Sequence, residues 1–79
     1  MPYTKDIVDE LNMLVRFNPD STQLGIKVHH HEASPDVVAA TKRLFEKGLI
    51  TEEDGGYLTY LGHEAAEQAQ ALLTLLRPA

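Results

Sequence analysis

Three observations in this 79-residue sequence predict a mainly helical fold carrying one small β-hairpin. Apolar residues recur every three to four positions in three stretches, each stretch is preceded by a capping residue, and Asp54-Gly55-Gly56 separates two short β-prone runs. With 43% apolar residues, a chain of this length buries roughly 60% of its unfolded surface. That is enough for one core, so a single domain over residues 1–79 is expected and a large enzyme with a deep cleft is not.

The first helix is placed at 4–17. Ile7, Val8, Leu11, Leu14 and Val15 form one stripe, Thr4 caps the helix, Asp6 favours its positive end, and Tyr3 and Val8 stand at the positions of a hydrophobic staple. It stops at Asn18-Pro19-Asp20-Ser21, because proline pushes its predecessor out of helical angles. Residues 20–25 read as a short helix or turn closed by Gly25, and 26–29 alternate as a short strand. Ser34-Pro35-Asp36 starts a helix at 34–47, with a serine cap, proline where its missing donor is harmless and an acid in the first turn. Helical spacing sets Val37, Val38, Thr41, Leu44, Phe45 and Gly48 on its buried side, with Asp36, Ala39, Ala40, Arg43, Glu46 and Lys47 opposite. A hairpin follows at 49–59. Thr59 then caps a final helix at 60–76, in which Leu61, Ala65, Gln68, Ala69, Leu72 and Leu76 share a face. The expected core is Leu11, Leu14, Val38, Leu44, Phe45, Leu58 and Leu72.

Composition excludes several functions. The absence of cysteine removes disulfides, zinc knuckles and thiol nucleophiles, and fits a reducing cytoplasm. No apolar run is long enough for a membrane span, and the first residues lack a secretory pattern, so a soluble cytoplasmic protein without membrane contact is expected. The net charge of −5 opposes non-specific attraction to phosphate. Its distribution is uneven: residues 34–47 are locally basic through Lys42, Arg43 and Lys47, whereas the hairpin tip carries Glu52, Glu53 and Asp54.

The order helix, short helix, longer helix, hairpin, helix resembles a winged helix-turn-helix. Val37-Val38 through Lys42-Arg43-Leu44-Phe45-Glu46-Lys47-Gly48-Leu49-Ile50 is similar to the recognition helix and first wing strand of small bacterial regulators, and Tyr57-Leu58-Thr59 with Gly62 resembles the second wing strand entering the closing helix. Taken whole, the chain also resembles a family of small uncharacterised bacterial proteins with a generic DNA-binding label. One departure from the winged pattern is the segment Ile26 to Ala33, longer than the three- or four-residue turn of an ordinary helix-turn-helix.

The resemblance implies a DNA-binding transcriptional regulator or accessory factor, with double-stranded DNA as partner. Its nucleic-acid contacts would come from Ser34, Ala39, Ala40, Lys42, Arg43 and Lys47: the alanines permit close approach to a groove and the cations reach phosphates or a guanine edge. Against it stand the acidic hairpin tip and the option that Arg43 and Lys47 pair with Asp36 and Glu46 along their own helix. The alternative function is a winged-helix protein-interaction module that binds no nucleic acid.

On the last helix, Ala66, Leu73 and Leu75 add apolar surface beyond one stripe, which makes Leu73 and Leu75 candidate contacts for a homodimer or a protein partner. His29 and His31 would share one side of a strand, but with Glu32, Asp20 or His63 they make no diagnostic ligand set, and no metal or cofactor is expected. Ser21 and Ser34 sit at turn or capping positions, no glycine-rich phosphate loop occurs, and no enzyme is expected.

Overall fold

The computed structural model describes residues 2–17 and 25–78. Three helices, α1 (Lys5–Leu14), α2 (Pro35–Glu46) and α3 (Tyr60–Leu76), accompany a small sheet of β1 (Ile26–Lys27), β2 (Ile50–Glu52) and β3 (Gly55–Leu58), with α1 packed on α2 and α3. The protein is thus mainly helical, with a three-stranded antiparallel sheet in the order β1-β3-β2.

Each helix begins where its capping residue stands. The hydroxyl oxygens of Thr4, Ser34 and Thr59 accept from the amides of Ile7, Val37 and Gly62, at 3.3, 3.3 and 3.0 Å, satisfying donors that the first helical turn leaves unpaired. Helix α1 ends at Leu14, short of the expected Phe17, and Val15 to Phe17 continue as a turn. That turn swings Phe17 into the core. The short helix or turn expected at 20–25 lies, up to Leu24, outside the described residues, as does Asp20.

The expected strand at 26–29 stops at Lys27. Val28 still donates to the Asp54 carbonyl at 2.7 Å, but the His29 carbonyl then accepts from Glu32 and Ala33 at 3.0 and 2.9 Å, closing a turn. His29, His30 and His31 therefore occupy an exposed turn, and the strand geometry that would align His29 with His31 is not formed. In the hairpin, the Asp54 region turns the chain while Gly55 and Gly56 adopt φ of 132° and 74°. Gly55 is required twice over, since a Cβ there would overlap the Ile26 carbonyl of β1.

The core gathers Met13, Leu14 and Phe17 at the end of α1, Val28 after β1, Leu44 of α2, Ile50 of β2 and Ala66 of α3. Of the expected core, Leu14 and Leu44 are buried, and Leu11, Val38 and Leu58 are half-buried. Phe45, 36% exposed, and Leu72, 41% exposed, are not core residues. The staple residues Tyr3 and Val8 also remain exposed.

Both corrections have one cause: α2 and α3 are rotated from their expected orientations. The buried positions of α2 are Ala40, Thr41 and Leu44, so Ala40 faces inward. Thr41 is accommodated because its hydroxyl donates to the Val37 carbonyl at 2.7 Å. The buried positions of α3 are Gly62, Ala66 and Ala69, while Leu61, Gln68, Leu72 and Leu76 of the expected face are exposed. At the start of that stripe α3 crosses directly over the chain at Leu49, where a Cβ on Gly62 would overlap the Leu49 carbonyl.

Candidate functional site

Two surfaces offer chemistry. The first lies where α2 meets α1. Glu10 of α1 is buried, and both of its oxygens are taken: Arg43 Nε donates to Oε2 at 2.9 Å and Lys47 Nζ donates to Oε1. The Arg43 guanidinium also reaches Asp6, donating to its carbonyl at 3.3 Å and standing 3.8 Å from its carboxylate. At the far end of the contact, Lys5 pairs with Asp9 at 2.8 Å and with Asp36 at 2.9 Å. Burial pushes the Glu10 pKa up, but Lys47 and Arg43 together outweigh it and leave the carboxyl below its ordinary range. Lys5 is raised through its bonds to Asp9 and Asp36, and Arg43 through its bond to Glu10.

This network places the candidate nucleic-acid residues in unlike surroundings. Ala40 is fully buried and cannot approach a groove. Arg43 and Lys47 are engaged across the helix interface by Glu10, and not along α2 by Asp36 or Glu46. Helical periodicity within one segment carries no signal for that, because the partner lies 33 and 37 residues earlier in the chain. Ser34 is committed to its cap. Ala39 and Lys42 are exposed without such an engagement, Lys42 being free of ion pairs among the described residues, while Lys47 is exposed but held by Glu10. On the hairpin, Asp54 pairs with Lys27 at 2.6 Å, which lowers the pKa of the carboxyl and raises that of the amine. Glu52 and Glu53 remain exposed. The six candidates thus do not form one continuous basic face.

The second surface is the outward side of α3 and the groove it makes with α1. Val8 and Leu11 of α1 and Val15 just after it face Leu72, Leu73 and Leu76 of α3 across an apolar groove of about 170 Å³. Leu73 is half-buried in this groove, and Leu75, 81% exposed, stands beside it. Leu76 is 73% exposed. No charged residue occurs from Gln68 to Leu76. Sequence spacing singled out Leu73 and Leu75 as candidates, but not α1's contribution or the exposure of Leu61, Leu72 and Leu76, because it set those leucines on one shared face of the helix and Leu72 in the core. Ala66, expected on the spare flank, belongs instead to the buried stripe.

Neither surface collects metal ligands: among the described residues no group of three or more His, Asp or Glu side chains is arranged to hold an ion. Nor is any described helix long and apolar enough to cross a membrane. Searches of curated proteins and of solved structures return no match. A family model does match, over residues 1–77 and thus almost the whole chain, and the protein belongs to the family of unknown function DUF5669.

Proposed function

We propose that the protein is a winged-helix protein-interaction module whose contact surface is the apolar side of α3 with the adjoining groove to α1. Support for the winged arrangement comes from the hairpin that follows α2, the strand β1 paired to its second arm, and the closing helix. The observation that carries the interaction function is the concentration of exposed leucines on an uncharged half of α3. Contiguous apolar surface of this kind marks contact sites, whereas scattered exposed leucines do not.

Binding of DNA through α2 finds less support. Arg43 and Lys47 already neutralise Glu10, and releasing them for phosphate would leave that carboxylate buried without a partner. The hairpin tip presents Glu52 and Glu53 where a DNA-binding wing would meet the backbone. Lys42 and Ala39 are what favours a DNA function, and a single unpaired cation among the described residues of α2 supplies little affinity.

Titration of labelled random-sequence duplexes at low salt, followed by fluorescence anisotropy, tests the choice where attraction to phosphate is strongest. The interaction module predicts no saturable binding by the wild type. Saturable binding that Lys42→Glu abolishes would overturn it and return the function to α2.

A further inference from the structure

The geometry points to a second copy of this chain as the partner of α3: we propose an antiparallel, two-fold α3–α3 dimer. Resting on the interaction-module function, it adds who binds and in which orientation. At 100° per residue, Leu61, Ala65, Gln68, Leu72, Leu75 and Leu76 lie within one outward stripe of α3, beside the buried stripe of Gly62, Ala66 and Ala69. Most of that stripe is uncovered: Leu61 is 52% exposed, Leu72, Leu75 and Leu76 are exposed, and Gln68 is exposed between them, while Ala65 is half-buried where its inner edge packs on the core.

Three properties of that stripe select its own copy, inverted. First, it matches itself when reversed. A two-fold axis beside Gln68 sets Leu61 against the partner's Leu76, and Ala65 against the partner's Leu72, so that a large side chain faces a small one in the middle and leucines close both ends. Facing helices interdigitate best in this way. Second, its polar centre is self-complementary. The amide of Gln68 carries both donors and an acceptor, so two copies meeting at the axis satisfy each other, as one glutamine opposite an aliphatic surface would not.

Third, the charges fix the direction. Glu64 and Glu67 lie in the first half of α3, its second half has none, and Arg77 follows its end. A parallel pair would set acids beside acids and arginine beside arginine. An antiparallel pair separates the two Glu64 carboxylates that flank the stripe, sets the end of α3 that carries Arg77 beside the partner's acidic half, and opposes the helix dipoles. Full overlap of the 17 residues of α3 gives a contact about 25 Å long, and the groove to α1 lies along its edge, where the partner's Leu61 reaches it. Self-association by a chain of net charge −5 requires such an uncharged strip, since elsewhere two copies repel.

The natural chain has no cysteine, so single cysteines report proximity without background. Sedimentation of the wild type from micromolar to millimolar concentration should show the 8.8 kDa monomer mass doubling, and Leu75→Glu should abolish the doubling while its circular dichroism stays that of a folded protein. Under mild oxidation Gln68→Cys should link to itself. Leu61→Cys and Leu76→Cys should each fail to self-link, yet link to one another when mixed. Self-linking of Leu61→Cys, the mark of a parallel pair, would overturn the proposal. So would a wild type that stays monomeric at every concentration and forms no Gln68→Cys link, an outcome that leaves the interaction module standing with a different protein as its partner.

Discussion

The α1–α2 contact and the outward side of α3 are built from opposite materials. Between α1 and α2, charge is placed inside: Glu10 is buried and held by two cations, with Lys5 bridging Asp9 and Asp36 nearby. Along α3, apolar surface is placed outside, with Leu75 and Leu76 among the most exposed large hydrophobic residues of the protein. The difference teaches which groups remain available for a partner. Cations held by a buried carboxylate are engaged within the fold, whereas leucines left in water by the folded chain remain open to a partner.

The sharpest way to break this comparison is to exchange adjacent residues of α2 on its two sides. Leu44 is fully buried and Phe45 is not. Leu44→Ala should cost about 2–5 kcal/mol, a large part of the stability of a domain this size, whereas Phe45→Ala should cost well under that. Thermal melts of both variants check it. A Phe45 variant less stable than the Leu44 variant would mean that α2 is turned the other way, freeing Arg43 and Ala40.

Next in size is the ionic contact. Glu10→Gln removes the charge that holds Arg43 and Lys47 while keeping the shape, and should cost about 1–3 kcal/mol. Because folding holds the Glu10 carboxyl below its ordinary value of 4.5, the stabilisation it supplies is present above that pH and is lost as pH falls through 4.5 toward the lower folded value. Urea denaturation of the wild type should therefore weaken across that acid window, and the Glu10→Gln variant should lose less there. Equal slopes in both proteins would show that Glu10 is not tied down. The smallest effect belongs to the other region: at concentrations where the wild type is monomeric, Leu75→Glu should leave stability within about 0.5 kcal/mol of the wild type, because the 81% exposed side chain touches little within its own chain.

The sequence discloses helices far better than it discloses which way they face. Thr4, Ser34 and Thr59 announce their helices because a cap is a local hydrogen bond, made within three residues of the residue that signals it. The final helix is legible to the residue for the same reason. Orientation depends on what lies across the interface. Periodicity put the leucine-bearing face of α3 inside, but Gly62, Ala66 and Ala69 are buried there, and at Gly62 the Leu49 carbonyl leaves no room for a side chain. Likewise Arg43 and Lys47 read as a solvent-facing basic patch until Glu10, far away in sequence, is found beneath them. Of the candidate residues, the exposure of Leu75 was therefore legible, whereas the half-burial of Leu73 and the engagement of the α2 cations by Glu10 were not.

The most direct test is a residue-resolved amide NMR spectrum of the wild type, recorded first across a dilution series and then, at low salt, with a duplex DNA pool added. Dilution should move the signals of Leu61, Gln68, Leu72, Leu75 and Leu76, and DNA should leave those of Ala39, Lys42, Arg43 and Lys47 where they were. Dilution without effect on α3, together with DNA-driven shifts along α2, would contradict the assignment of α1–α2 to the fold and α3 to contact.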